Sequence, residues 1–196
     1  MKKSTMIWII LIAAVVLFLA SIVSKYNGFV TQEEAVKTAW SQVENVYQRR
    51  ADLIPNLVAT VKGYAEHEQE TFTAVTEARS KVNNINLEGI TNSQEALQNF
   101  QNAQGALSGA LSKLMVVMER YPELKANQNF LDLQSQLEST ENRISIERRR
   151  FNEAAQSFNT LIRRFPNSIY AGMFGFSAKA YFAAQAGAET APKVEF

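Results

Sequence analysis

Apolar positions along the chain fall into one continuous run and three stripes. The run, STMIWIILIAAVVLFLASIVS, lies between Lys3 and Lys25 and carries no charge. As a helix rising ~1.5 Å per residue it reaches roughly 31 Å, the thickness of a bilayer's hydrocarbon core. It exceeds the ~7–15-residue core of a signal peptide, and no clean small-x-small cleavage site follows it, so it reads as an uncleaved anchor. Beyond a short junction at Tyr26-Asn27-Gly28, the first stripe is Val36, Trp40, Val43, Tyr47, Arg50, Ile54, Leu57, Val61, Tyr64 and Glu68, continued by Phe72 and Val75. Alternating steps of four and three predict one long amphipathic helix, ending near Asn83-Asn84 where NNINLEGITNS supplies turn residues.

The second stripe, Phe100, Gln104, Leu107, Leu111, Leu114, Met118 and Tyr121, predicts a helix with Ser93 as N-cap, stopped by Pro122. The third, Leu137, Glu141, Ile144, Arg148, Phe151, Ala155, Phe158, Ile162 and Phe165, predicts a helix from about Ala126 to Pro166. SIYAGMFGFSAKAYFAAQ reads as a shorter fourth helix, buried or resting on a membrane surface. No segment alternates as a strand does. The expected fold is all-α: a transmembrane helix over residues 1–25, an antiparallel four-helix bundle with a long first helix over 26–186, and an extended tail over 187–196.

Charges interrupt the stripes. With the third helix rising beside the first, Arg148 comes level with residues 72–75. Glu68 and Arg148 are then expected to pair, with Glu141 two turns from Arg148 on the same face; the alternative is that these side chains reach out to water. Gly105 and Gly109, four apart in the second helix, either admit a neighbouring helix closely or are merely tolerated. Pro55 removes one backbone hydrogen bond and crowds the carbonyl of Ala51. Either Asp52 caps a new helix there or one helix continues with a kink, and the unbroken alternation favours continuation.

Composition narrows the chemistry. The formal charge is +1, which gives no electrostatic reason to expect nucleic acid as a partner. With no cysteine there are no disulfides, thiol nucleophiles or cysteine-held metals. The single histidine, His67, lacks the second histidine of a zincin helix, and the paired Glu-x-x-His of a di-metal bundle is missing. No nucleophile elbow or phosphate loop accompanies it, so a hydrolase using His67 and Glu68 is the weakest reading. No catalytic residue, cofactor or metal is therefore expected. Arg148-Arg149-Arg150 reads as a solvated face around one inward arginine rather than an anion grip.

The blocks AWSQVENVYQRRADLIPNLVATVKGYAEHE, TEARSKV, RYPELKANQNF, ESTENRISIERRRFNEAAQSFN, RFPNSI and PKVEF resemble the LemA proteins of bacteria over nearly the whole chain. The chain departs from them at Phe151-Asn152 and Phe158-Asn159, where the family often carries Tyr-Asn. The resemblance implies a membrane-anchored four-helix bundle without an agreed enzymatic activity. It marks Arg49, Arg50, Asp52, Pro55 and Asn56, with Glu68 and the Glu141 to Arg148 face, as a shared surface or core. It also suggests partners among envelope proteins, membrane metalloproteases included.

The expectation is thus a scaffold or adaptor of the bacterial inner membrane, plausible as a homo-oligomer and held in the bilayer by residues 4–24. An accessory regulator of a membrane protease or sensor in envelope stress is the second reading. Lys2 and Lys3 flank one side of the span and Lys25 and Lys37 lie near the other, so the positive charges nearly balance; the two lysines packed against the short N-terminus tip it to the cytoplasm and the helical domain outward.

Overall fold

The computed structural model describes residues 3–65 and 67–183. The predicted tail over 187–196 lies outside the described residues. Among the described residues there are six α-helices: α1 (Lys3–Lys62), α2 (Gln69–Asn83), α3 (Gln94–Met118), α4 (Pro122–Lys125), α5 (Gln128–Arg163) and α6 (Asn167–Phe174), with a 3₁₀ turn at Ile90–Asn92. Among the described residues there is no strand.

α1 joins the apolar run to the domain without the expected junction. Tyr26-Asn27-Gly28 stays helical, and the Thr31 hydroxyl donates to the Asn27 carbonyl at 2.9 Å. The helix also continues through Pro55. Asp52 caps nothing there; its carboxylate accepts from the Gln48 amide at 2.8 Å. A helical N–H at position 55 would bond the carbonyl of residue 51, so proline leaves that carbonyl without its intrahelical donor. Arg79 of α2 supplies a replacement, its Nε donating to the Ala51 oxygen at 3.0 Å.

The long first helix predicted to Asn83 breaks instead at Lys62, and the chain turns back into α2, which begins at Gln69. Gly63 lowers helix propensity at the break. The turn is held by Ala65, which is buried, and by the Glu68 carboxylate, which accepts from Arg120 at 2.9 Å and from the Tyr121 hydroxyl at 3.2 Å. The apolar rhythm crosses the turn because Phe72 and Val75 face the same core as Val61 and Ala65. Periodicity alone therefore hides the reversal.

Helix directions then alternate. Phe29 to Tyr47 of α1 share one apolar cluster with Ile144 to Ile162 of α5, whereas Ile54 to Val61 share a second with Phe130 and Leu137. α5 thus descends beside α1 towards the apolar run, where the sequence had suggested a rising helix. Ser93 caps α3, its hydroxyl accepting from the Ala96 N–H at 3.2 Å, and Asn127 caps α5 by accepting from Phe130 at 3.1 Å. α5 ends at Arg163, two residues before Phe165, so Phe165 leaves the buried stripe and stands 83% exposed. The last predicted helix is cut short at Phe174 by Gly175, whose φ of 76° forms a left-handed cap. Residues 176–183 continue without regular helix.

Candidate functional site: a backbone-reading groove between α3 and α5

Amide side chains recur every seven residues on two facing helices: Gln94 and Gln101 on α3, Asn152 and Asn159 on α5. Seven helical residues rise ~10.5 Å, close to the ~10 Å that three extended residues cover. On α5 the chain after Gly175 uses this match, with Lys179 and Phe182 three residues apart, whereas the two glutamines of α3 hold Tyr181 and Ala183, two apart. Asn159 donates to the Lys179 carbonyl at 2.9 Å and accepts from the Lys179 N–H at 2.7 Å. Asn152 does the same to Phe182, at 3.0 and 2.9 Å. From the opposite wall Gln94 pairs with both backbone groups of Tyr181, at 3.0 and 3.1 Å, and Gln101 with those of Ala183, at 2.8 and 3.3 Å. A primary amide carries both a donor and an acceptor, so one side chain satisfies both polar groups of one residue. The amide walls of the groove therefore read peptide backbone, one residue per side chain.

Rings and cations fix the strand's side chains. Phe182 stacks beside Trp40 and meets Phe151 edge-on, at centroid separations of 6.1 and 5.6 Å. Arg148 donates to the Ala183 carbonyl at 3.1 Å, with its guanidinium 4.7 Å from the Phe182 ring centroid. Lys179 is buried, and its ammonium donates to Glu33 at 2.6 Å and to Asn92 at 2.8 Å.

Past Ala183 the groove opens into a cleft of about 760 Å³. Arg50 lines it with only 1% exposure, donating to the Ser108 hydroxyl at 2.9 Å and to the Gln104 and Glu141 side chains. Its Nε is buried without a partner among the described residues. The Arg50 guanidinium lies 5.1 Å from the Tyr47 ring centroid. Burial, the largest influence, raises the Tyr47 phenol above its ordinary range even though Arg148 and Arg50 oppose the shift. The Glu141 side chain remains 42% exposed, which keeps carboxylate surface available to the cleft. Gly105 and Gly109 line the same space, and a Cβ at either would meet nothing within 4 Å. They admit no helix; their missing side chains widen the cleft.

The residues marked by the sequence separate into distinct settings. Arg50, Glu141 and Arg148 converge on the groove. Glu68 pairs with Arg120 rather than Arg148, because the descent of α5 carries Arg148 towards Tyr47 and away from the turn. Arg49, Asp52, Pro55 and Asn56 lie on the exposed side of α1. His67 is exposed in the turn, and no group of three or more potential metal ligands occurs among the described residues. The arginine run stays at the surface outside Arg148: Arg149 is 3.8 Å from Glu153, and Arg150 donates to Glu147 at 2.8 Å.

Gln94, Gln101, Asn152, Asn159 and Lys179 did not stand out in the sequence. The seven-residue amide spacing was the available signal, together with the repeated Phe-Asn pair. Its two phenylalanines are fully buried while its asparagines face the strand.

Residues 39–196 match the model of the LemA family. Among curated proteins the chain is 28% identical over 191 residues to magnetosome protein MamQ 2 of Paramagnetospirillum magneticum, covering 89% of this chain and 70% of that protein. It is 26% identical over 188 residues to magnetosome protein MamQ of Magnetospirillum gryphiswaldense, covering 87% and 69%. To protein LemA of Metamycoplasma hominis it is 27% identical over 143 residues, covering 73% and 62%. With the family model spanning most of its length, the chain belongs to the LemA family.

Proposed function

We propose that this protein is a membrane-anchored, non-catalytic adaptor that receives an extended polypeptide segment of an envelope partner in the cleft between α3 and α5. One observation carries the reading: the lower part of that groove already holds residues 179–183 through paired contacts to their backbone. The cleft beyond Ala183 continues the same two walls and adds a buried cation, an accessible carboxylate and two glycines. Such a surface suits an extended small-residue segment whose N–H groups donate to the accessible Glu141 carboxylate. It offers neither a nucleophile–base pair nor a metal cluster for chemistry. The apolar run of α1 is long enough to cross a bilayer and holds the adaptor there. Lys2 and Lys3 before the span favour a domain outside the cytoplasm.

A photo-crosslinking amino acid placed at Gly109 in living cells tests this, with the same group at exposed Val116 as control. The expected result is an adduct at Gly109 that maps to one short segment of an envelope protein and disappears in Gly105→Leu, where the added side chain fills the cleft. Adducts equal at both positions, or confined to this chain's own residues, would refute the proposal. Protease accessibility in intact and broken cells tests the side of the membrane.

A further inference from the structure

Tyr26 follows the apolar run by two residues, about 3 Å of helix. Its ring lies 5.1 Å from that of Phe174 and 5.8 Å from that of Phe176, which places α6 at the point where α1 leaves the run. One face of α6 is spent on the protein: Asn167 and Ala171 are buried, and Tyr170 packs partly into the core. On the opposite face Ile169 and Met173, four apart, are 54% and 71% exposed, and Phe165, just before the helix, is 83% exposed. Exposed Arg163 and Arg164 immediately precede them.

We propose that α6 is a membrane-docking element whose Phe165, Ile169 and Met173 enter the headgroup–acyl boundary of the bilayer that α1 spans. This rests on the reading of α1 as a membrane span, and its geometry follows from it. A stripe held beside the exit of a spanning helix sits at interface height, where apolar side chains insert ~5–10 Å. Tyr26, 43% exposed, belongs at the same level, where amphipathic rings concentrate. Arg163 and Arg164 precede the stripe with charges that anionic headgroups attract. Elsewhere in the helical domain, large exposed apolar residues such as Val116, Leu131 and Ile146 are scattered along α3 and α5. The function of the contact is geometric: with α1 and α6 both fixed to one surface, the domain loses its freedom to swivel about a single helix.

The absence of cysteine makes the test direct. Single-cysteine variants Met173→Cys, Val15→Cys and Val116→Cys of the full chain, labelled with an environment-sensitive fluorophore, are reconstituted in phosphatidylethanolamine–phosphatidylglycerol vesicles. The label at Met173 is expected to shift to the blue, to lose quenching by aqueous iodide, and to be quenched by lipids brominated near the headgroup. The label at Val15 should respond to deeply brominated lipids and that at Val116 to iodide alone. Iodide quenching at Met173 equal to that at Val116, with Val15 still quenched by bromolipid, overturns the docking and leaves the anchor standing. A Val15 label insensitive to bromolipid refutes the anchor, and the docking with it. A blue shift at Met173 that needs high protein density and ignores bromolipid assigns the stripe to a second copy of the chain, and also overturns the proposal.

Discussion

Replacing Arg79 by methionine should destabilise the protein through a carbonyl on a different helix. Pro55 leaves the Ala51 oxygen without an intrahelical partner, and Arg79 donates to it at 3.0 Å. Ala51 is only 4% exposed, so water is a poor substitute. A hydrogen bond from a charged donor contributes ~1.5–3 kcal/mol, and because this one is partly buried about 2 kcal/mol is expected from Arg79→Met. Pro55→Ala restores an N–H to Ala51 and relieves the proline penalty, up to ~3 kcal/mol in a helix interior. In that background Arg79→Met should cost only its lost packing, about 0.5 kcal/mol, which leaves a coupling of ~1–2 kcal/mol between the two sites. Urea unfolding of the full chain in detergent, followed by far-ultraviolet circular dichroism, measures all four corners of the cycle. Losses that add to within about 0.3 kcal/mol would show that Arg79 does not serve the carbonyl freed by Pro55.

In the Arg50 cluster, Glu141→Gln should cost about 2–4 kcal/mol, below the full buried-pair value because the carboxylate is half exposed, whereas the double variant Arg50→Met/Glu141→Gln should recover part of that loss in the same unfolding assay. Asn159→Ala leaves the buried backbone of Lys179 without both of its partners; a loss of about 1–3 kcal/mol and faster amide exchange across residues 176–183 are expected. Gly105→Ala should raise the melting temperature, since the added Cβ meets no atom within 4 Å and the helix gains up to ~1 kcal/mol. The Tyr47 phenol is raised from 10.0, so the folded state keeps its proton at pH values where the unfolded chain releases it. Its contribution is complete below pH 10.0 and is lost as pH rises towards the folded value, so Tyr47→Phe should flatten the alkaline decline measured in an unfolding series.

The helical fold was legible because the stripes are real: Val36, Val43, Ile54, Leu57 and Val61 on α1, and Phe151, Ala155 and Phe158 on α5, are all buried. The turn between α1 and α2 was not, since the apolar positions on both sides of it point into one core and keep the helical rhythm. That single omission reversed the direction assigned to α5 and so misdirected the expected partner of Glu68. The groove's backbone contacts were hidden for another reason. Asn and Gln on a helix look like solvated positions, and nothing local reveals that an extended segment 20 or more residues further on returns to meet them. The end of α5 was blurred because Phe165 continues the arithmetic of the stripe although the helix stops at Arg163.

One polar interruption from each of the three stripes meets the others at a single point. Arg50 interrupts the stripe of α1, Gln104 that of α3 and Glu141 that of α5, and in the folded chain they are a single hydrogen-bonded group. An apolar seam tolerates sliding by one turn, because leucine-like positions recur at that interval. A buried guanidinium does not. Moving α5 by one turn, about 5.4 Å, takes Glu141 out of reach and leaves the buried cation without its anion, a loss of about 2–4 kcal/mol because the carboxylate is half exposed. The same alignment sets Asn152 and Asn159 opposite Gln94 and Gln101, since each pair is fixed on the same helix as one member of the cluster. The charge cluster that looked anomalous in the sequence thus sets the register on which the backbone-reading groove depends.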